Sequence, residues 1–371
     1  MKARPAGPVV ETSHWHALPD GRVQCDVCPR FCALHEGQRG LCFVRARQAD
    51  AIVLTTYGRS SGFCVDPIEK KPLYHFLPGT SVLSFGTEGC NLSCRFCQNW
   101  DISKSREISK LSEEASPETI ARAAREFGCR SVAFTYNDPT IFFEYAIDVA
   151  DACRELGIKS VAVTAGYMCA EPRREFYRKI DAANVDLKAF TEDFYHRVTA
   201  SHLAPVLETL EYIRKETSVW LEITNLMIPG LNDSEAETDA MTRWIADHLG
   251  TDVPLHFTAF HPDWKMADVP PTPPETLRRA REIARRNGIR YAYTGNVRDD
   301  AGSTTLCPSC GASVVGRRGF FVADWELDER GRCVECAAEI PGVFESVPGD
   351  WSGIRVPVRL PLPGALTTDR S

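Results

Sequence analysis

Residues 81–97 read Ser-Val-Leu-Ser-Phe-Gly-Thr-Glu-Gly-Cys-Asn-Leu-Ser-Cys-Arg-Phe-Cys, a short apolar run that leads directly into three cysteines. The run at residues 81–86 is typical of a buried strand, and Cys90, Cys94 and Cys97 have the spacing CxxxCxxC. Iron–sulfur clusters are held by cysteine thiolates, normally four for a cubane. Because the loop offers three thiols and no local fourth, it predicts a cluster with one iron open to an external ligand. The alternatives are a zinc loop with a distant fourth ligand, or three unrelated buried cysteines.

Charge and cysteine content limit the classes of protein to which the chain can belong. The 371 residues carry a net charge of −7, which argues against general affinity for nucleic acid. No apolar run approaches the roughly 18–20 residues that cross a bilayer, and the first twenty residues do not resemble a secretory signal. Fifteen cysteines, many in CxxC pairs, are typical of metal binding in a reducing compartment. We therefore expect a cytoplasmic protein with no membrane partner.

Strand-like and helix-like segments alternate through the middle of the chain, which predicts βαβ units and a parallel sheet. The strand-like segments are Ser81–Phe85 and residues 131–136, 160–164, 184–187, 219–223, 255–260 and 289–293. The helix-like segments are residues 117–127, 141–156, 205–216, 235–249 and 274–287. This order predicts an α/β fold, a full or partial (β/α) barrel of the TIM type. Such barrels carry their chemistry at the carboxyl ends of the strands, where the cysteine loop would lie.

The cysteine sets and the composition divide the chain into five predicted regions. Residues 1–50 form an N-terminal cysteine-rich metal-binding segment, and residues 51–80 form a β-hairpin or a lid over the barrel mouth. The barrel occupies residues 81–300, and a zinc-ribbon-like module with four cysteines occupies residues 301–345. Residues 346–371 are rich in Pro and Gly and are expected to form an extended, loosely packed tail.

The two flanking cysteine sets are predicted to bind metal. The C-terminal set has two CxxC pairs, which favour a structural zinc site over a rubredoxin-like iron site; it is Cys307, Cys310, Cys333 and Cys336. The N-terminal set is compatible with zinc or with a second iron–sulfur cluster; it is Cys25, Cys28, Cys32 and Cys42. A second cluster would relay electrons, whereas zinc would only fix the segment in place.

Several motifs together resemble those of a known enzyme family. They are the cysteine loop with Gln98, Asn99 and Trp100 after it, and residues 66–75, 134–140, 186–188, 222–225, 228–233, 256–262 and 293–296. With these motifs the chain resembles the radical S-adenosylmethionine (SAM) enzymes of the AmmeMemoRadiSam system, which are relatives of pyruvate formate-lyase activating enzyme. The resemblance covers about residues 20–340. It implies a radical SAM barrel with small cysteine-rich metal-binding flanks.

The resemblance also implies an activity. Cys90, Cys94 and Cys97 would hold a [4Fe-4S] cluster whose fourth iron binds the amino and carboxylate groups of SAM. One electron from a flavodoxin- or ferredoxin-type protein would cleave SAM to a 5′-deoxyadenosyl radical, which abstracts hydrogen from an unidentified substrate. The alternatives are a glycyl-radical-enzyme activase that acts on a partner protein, and a zinc-ribbon interaction protein with no catalytic activity. The name of the family implies a functional link to Memo-like and AMMECR-like proteins.

Residues near the predicted strand ends are candidates for contact with SAM or substrate. Asn137 and Asp138 would accept from the SAM amino group, although Asp138 before Pro139 also fits a helix N-cap. Thr164 precedes Gly166, which permits close approach of a ligand. The resemblance places Glu222 and Asn225 at the ribose or methionine.

Three further residues and one aromatic ring complete the predicted site. Asp186 and Lys188 point to the same side of a strand, as a functional acid–base pair or as a structural ion pair. His256 is a candidate acid or base, with a hydrogen-bonded core histidine as the alternative. Phe96 would shield the cluster or contact adenine, with core packing as the alternative.

Overall fold

The strand-like segments of the middle region form the centre of one large sheet. The structure, a computed structural model, describes residues 9–104 and 113–360. Within these ranges the sheet has nine strands, of which seven are parallel and adjacent in chain order. The parallel strands are Ser81–Phe85, Ser131–Phe134, Lys159–Thr164, Ala182–Asp186, Trp220–Met227, Leu255–Ala259 and Ala292–Gly295. They are largely buried, as expected for a parallel sheet covered by helices.

The helices that connect these strands cover the outside of the sheet. The longer helices are Pro117–Glu126, Phe143–Glu155, Ala170–Tyr177, Ala204–Glu216, Glu235–His248 and Pro274–Arg286. Ser116 caps the first of them by accepting from the backbone N–H of Thr119, and Ser234 caps Glu235–His248 in the same way. The sequence predicted five of these helices within about two residues at each end, and it missed Ala170–Tyr177.

The sheet remains open and forms a partial barrel. Beside Ser81–Phe85 lies the antiparallel strand Phe63–Pro67, followed at the edge by Val356–Val358. In the described part of the chain, the seventh parallel strand pairs with neither of these two. The predicted α/β barrel is therefore confirmed in its partial form.

Residues 66–75 do not form a surface hairpin, because Asp66, Glu69, Lys71 and His75 are all buried. Their predicted role as a lid stays a prediction. In the tail, Val356–Val358 forms the edge strand of the sheet, and residues 346–360 are exposed or half-buried. Burial would raise the pKa of Asp66, but the neighbouring Lys71 ammonium lowers it to about 2.

Small sheets and short helical turns make up the flanks. The N-terminal sheets consist of Trp15–Ala17, Val23–Cys25 and Ala33–Leu34, and of Val10–Glu11, Ala51–Leu54 and Arg45–Gln48. Glu113–Glu114 pairs with Arg59–Ser60, and the C-terminal sheet consists of Thr305–Leu306, Ser313–Arg318 and Phe321–Trp325. The short turns are Ile68–Lys70, Trp100–Ser103, Pro139–Phe142, Glu192–Phe194, Tyr195–Thr199, Trp264–Met266 and Asp300–Ser303. No helix among the described residues combines the length and apolar character needed to cross a membrane.

Arg317 attaches the C-terminal sheet to the base of the barrel. Its buried guanidinium donates through Nη2 to the Tyr74 carbonyl at 2.6 Å and lies 4.1 Å from the centre of the Tyr74 ring. Through Nη1 it donates to the Ser303 carbonyl and to Thr305 Oγ1. Because these acceptors are also buried, removal of the guanidinium leaves them without a donor.

Replacement of Arg317 by methionine is expected to lower the free energy of unfolding by about 3–5 kcal/mol. The exposed neighbour Arg318 is the matched control, because Arg318→Met is expected to change stability by less than about 0.5 kcal/mol. Guanidinium chloride unfolding of the two variants measures the difference. Equal stability of the two variants would show that the buried contacts of Arg317 do not anchor the module.

Candidate active site

A cavity of about 730 Å³ opens at the carboxyl ends of the parallel strands. Its lining includes Cys90, Cys94 and Cys97, and no other cysteine of the described residues lines it. Cys94 is buried, and the other two thiols are partly buried. The three thiols therefore face a space that can hold a metal cluster together with a small molecule.

Buried hydrogen bonds fix the cysteine loop in position. The Asn137 side-chain amide donates to the carbonyls of Thr87 and Gly89 at 2.8 and 2.9 Å. Asn91 Nδ2 donates to the Tyr167 carbonyl at 2.9 Å. The amide N–H groups of Asn137 are thus engaged within the protein, and its Oδ1 accepts from the Thr87 N–H. Asn137 thus holds the loop and also lines the cavity, and its contact with an amino group stays a prediction.

Burial disfavours the thiolate forms of Cys90 and Cys94 unless a metal offsets the cost of burying their charge. Burial raises the pKa of the Cys90 thiol to about 12 and that of Cys94 to about 11. The Lys188 ammonium lowers the pKa of Cys94, and the Lys104 ammonium lowers the pKa of both thiols. The two lysines therefore favour negative charge at the loop, as a thiolate-bound cluster requires.

Asp138 caps a turn and joins two strand ends. Its carboxylate accepts from the backbone N–H of Thr140 and of Ala165 at 2.9 and 2.7 Å, and from the Thr164 hydroxyl at 3.1 Å. Asp138 and Thr164 both line the cavity. The N-cap interpretation is confirmed, and these contacts occupy the carboxylate oxygens assigned to the SAM amino group. Contact of Thr164 with a ligand stays a prediction.

Asp186 and Lys188 form an ion pair on the cavity wall. Lys188 Nζ lies 2.8 Å from Asp186 Oδ2, and both residues line the cavity. Burial would lower the pKa of Lys188, but Asp186 raises it above its usual value. Lys188 Nζ also lies 5.7 Å from the centre of the Phe96 ring, which itself lines the cavity beside Cys97. The predicted positions of Asp186, Lys188 and Phe96 at the site agree with the structure, while their roles stay predictions.

Glu222 and Asn225 do not line the cavity, contrary to their predicted contact with the ribose or methionine. Glu222 is fully buried and accepts from the backbone N–H groups of Tyr74 and His75 at 3.0 and 2.8 Å. Asn225 donates to the Leu187 carbonyl. The sequence predicted a strand that ends at residue 223, but Trp220–Met227 continues for four more residues. Glu222 therefore lies deep in the barrel, and Asn225 is on the alternate face of the strand.

His256 lies at the floor of the cavity and is held by Glu222. The distance from His256 Nε2 to Glu222 Oε2 is 2.7 Å, and the Tyr74 ring contacts the imidazole edge-on at 4.7 Å. His256 also lines the cavity, so the structure places it at the predicted site. Its contacts are those of a hydrogen-bonded core histidine, and an acid–base role stays a prediction.

Tyr136 lies in the motif at residues 134–140 and lines the cavity, although it was not among the predicted site residues. Its φ is +72°, a left-handed conformation that is strained for a tyrosine, and its carbonyl accepts from Asn99 Nδ2. Its hydroxyl donates to Asp66 at 2.9 Å, and the centre of its ring lies 4.9 Å from Lys71 Nζ and 5.5 Å from the Arg355 guanidinium. Only the fold brings these distant segments together, so the motif at residues 134–140 did not reveal these contacts.

Gly89 packs tightly against the N-terminal segment. A Cβ at this position would lie 2.0 Å from the Cys42 carbonyl oxygen, and φ is +84°. Gly89→Ala is therefore expected to displace the loop and to remove most of the iron from anaerobically reconstituted protein.

Gly128→Ala is the matched control for Gly89→Ala, because Gly128 also has a positive φ but no atom within 4 Å of the added Cβ. It should cost about 1–2 kcal/mol in backbone strain and leave the iron content unchanged. Iron analysis of the two purified proteins measures the difference. Equal iron content would contradict a tight contact at Gly89.

The C-terminal cysteine set has the geometry of a metal site. The Sγ atoms of Cys307, Cys310, Cys333 and Cys336 all lie within 4.8 Å of one another. Four thiols at this spacing fit one tetrahedral ion. The predicted site is thus supported as a metal site, and zinc stays the preferred ion.

Comparison with known proteins agrees with this geometry. The sequence profile described as "Radical SAM superfamily" matches residues 85–241. Over 331 residues the chain is 40% identical to the "Uncharacterized protein MJ0808" of Methanocaldococcus jannaschii, which covers 89% of this chain and 98% of that protein.

More distant similarity links the chain to two named groups of enzymes. It is 27% identical over 172 residues to the "Probable GTP 3',8-cyclase" of Methanosarcina acetivorans, covering 44% of this chain and 50% of that protein. It is 26% identical over 161 residues to the "Pyruvate formate-lyase-activating enzyme" of Clostridium pasteurianum, covering 43% of this chain and 66% of that protein. Both matches span only part of each protein. The cysteine loop at the barrel mouth and these similarities together show that the chain belongs to the Radical SAM superfamily.

Proposed function

We propose that this chain is a radical SAM enzyme of the AmmeMemoRadiSam type that acts on a substrate still to be identified. When bound at Cys90, Cys94 and Cys97, a [4Fe-4S] cluster would supply one electron to cleave SAM into methionine and a 5′-deoxyadenosyl radical that abstracts hydrogen. The observation that carries the proposal is the cavity of about 730 Å³, which three thiols and no fourth cysteine of the described residues line. That donor set fits a cubane with one iron left for SAM.

The residues around the loop support this chemistry by charge and by exclusion of water. Lys104 Nζ donates to the Leu92 carbonyl at 2.8 Å, which keeps a positive charge beside the thiolates. The buried ring of Phe96 covers the inner side of the loop. A partly dry site with nearby cations strengthens electrostatic contacts to a bound ligand.

Asp186 is the carboxylate that we assign to SAM in place of Asn137 and Asp138. The contacts of Asn137 and Asp138 lie within the protein, whereas the Asp186 side chain keeps 36% of its surface exposed beside the cavity. Its partner Lys188 holds it in one orientation at 2.8 Å. A fixed acceptor at this position suits a ligand ammonium or hydroxyl group.

Release of 5′-deoxyadenosine tests the proposed function. Anaerobically reconstituted protein, given SAM and dithionite, is expected to form 5′-deoxyadenosine and methionine, both measured by mass spectrometry. Protein that carries zinc in the cysteine loop and leaves SAM intact would instead support the non-catalytic alternative, a zinc-ribbon interaction protein.

A second candidate is an activase that removes hydrogen from a glycine of a partner protein. The similarity to pyruvate formate-lyase-activating enzyme favours it. Electron paramagnetic resonance (EPR) separates the two candidates, because an activase leaves a glycyl radical on its partner, whereas an enzyme for a small molecule does not.

The remaining proposals concern partners and compartment. A flavodoxin- or ferredoxin-type protein would supply the electron, and Memo-like and AMMECR-like proteins would be functionally linked to this enzyme. All fifteen cysteines are free thiols in the structure, which supports our proposal of a reducing compartment, the cytoplasm.

A further inference from the structure

The four N-terminal cysteines surround a small cavity of their own. Its volume is about 20 Å³, room for about one water molecule. The cysteines that line it are Cys25, Cys28, Cys32 and Cys42, and apolar lining comes from Val27, Leu34 and Ile141. Four thiols from one short N-terminal segment thus line the same space as Ile141 of the barrel.

The spacing of these thiols differs from that of the C-terminal set. A tetrahedral zinc ion with Zn–S bonds of about 2.3 Å holds its sulfurs about 3.8 Å apart, which leaves no room between them. In the C-terminal set, the Sγ atoms of Cys307 and Cys336 lie 3.5 Å apart, and those of Cys310 and Cys333 lie 3.7 Å apart. Among the described residues, the N-terminal thiols do not form such a close group. The space that they enclose instead favours a larger, polynuclear centre.

Two arginines of the cavity lining carry buried donors that have no hydrogen-bond partner. Arg45 is buried and donates hydrogen bonds from Nη1 and Nη2 to the Glu144 carboxylate at 2.9 and 2.6 Å, while its Nε has no hydrogen-bond partner. Arg30 donates through Nε to the Asn91 carbonyl, while its buried Nη2 has no partner. Both arginines line the cavity. Unsatisfied buried donors are costly, and an anionic group with accepting sulfurs in the cavity would satisfy them.

The small cavity lies directly behind the cysteine loop of the barrel. Asn91 lines the small cavity, whereas its immediate neighbours Cys90 and Leu92 line the large cavity. Gly89 also approaches the Cys42 carbonyl too closely to admit a side chain. The two cavities are therefore separated by little more than one residue of the loop.

We propose that Cys25, Cys28, Cys32 and Cys42 bind a second [4Fe-4S] cluster. Four thiolates ligate all of its irons, so it is closed to SAM, and the free donors of Arg30 and Arg45 stabilise its negative charge. This second cluster can be present whether or not the cluster at Cys90, Cys94 and Cys97 binds SAM. The proposed second cluster and the proposed function can therefore fail separately.

Iron and acid-labile sulfide counts on anaerobically purified full-length protein test this site. The wild-type chain is expected to hold about eight sulfides, and the triple variant Cys90→Ala/Cys94→Ala/Cys97→Ala about four. The cluster left in the triple variant should show an EPR spectrum that added SAM does not alter. Sulfide is the deciding count, because an iron ion at Cys307, Cys310, Cys333 and Cys336 would add iron without sulfide.

A complementary pair of variants controls for loss of folding. Cys28→Ala/Cys32→Ala should halve the sulfide of the wild-type chain, whereas Cys129→Ala/Cys153→Ala, at two buried cysteines elsewhere, should retain all of it. Absence of sulfide from a folded triple variant, with or without a second zinc ion, would overturn the proposal. If the triple variant does not fold, the sulfide count of Cys28→Ala/Cys32→Ala decides, because a count equal to that of the wild-type chain would show that these cysteines hold no cluster.

Discussion

Cys94→Ala is expected to abolish cleavage of SAM, with a rate roughly a thousandfold or more below that of the wild-type chain. The reason is that three thiolates act as one unit, and loss of any of them removes the cluster rather than weakening it. Cys94 is the most deeply buried of the three and lies beside Lys188 on the cavity wall. The measurement is 5′-deoxyadenosine released per chain after reconstitution, together with absorption near 400 nm.

Cys153→Ala is the matched control for this prediction. Cys153 is equally a buried cysteine, but it lies in the helix Phe143–Glu155, outside the cavity lining. Its replacement should leave both the absorption and the product unchanged. Substantial 5′-deoxyadenosine formation by the Cys94 variant would mean that the cluster is held elsewhere.

Cys333→Ala is expected to remove one bound metal ion and to unfold the C-terminal module. Structural zinc in small domains contributes about 10–16 kcal/mol of apparent binding free energy, more than such a module gains from its own core. The buried cluster around Val314, Val315 and Leu327 is small, and it includes Cys307 and Cys333 themselves. Zinc analysis and a thermal unfolding scan measure the effect. A large fall in Tm is expected because Arg317 of this module also contacts the barrel at Tyr74.

Cys129→Ala is the matched control for Cys333→Ala. Cys129 is buried beside the barrel strands and is not part of the close C-terminal group. Its variant should keep the metal ion and lose no more than about 1 kcal/mol of stability. An unchanged metal content and Tm in the Cys333 variant would show that this set has no structural ion.

The sequence predicted the barrel well because buried parallel strands are short and apolar, with turn residues between them. Ser81–Phe85 and Ala204–Glu216 were predicted at or within one residue of their ends. The helix Ala170–Tyr177 was missed because Pro172 and four charged residues obscure its apolar face. The edge strand Val356–Val358 was missed because its neighbour comes from nearly three hundred residues away.

The site was predicted less completely than the fold. The cysteine spacing identified the loop, since three ligands lie within eight residues. Glu222 was misplaced because the sequence did not show how far the strand continued, and four residues change the depth of a side chain in the barrel. Asn137 and Asp138 were in the predicted place, but hydrogen bonds formed only in the folded chain occupy their polar atoms. Tyr136 depends on contacts from three distant segments.

The response of the reduced cluster to SAM shows whether one of its irons is open to an external ligand. We predict that addition of SAM to the dithionite-reduced protein changes the g values of the cluster at Cys90, Cys94 and Cys97, and that the Cys94→Ala variant lacks this response. An open iron must show the change, because SAM becomes its ligand. An EPR spectrum of the wild-type chain that is the same with and without SAM would contradict the account.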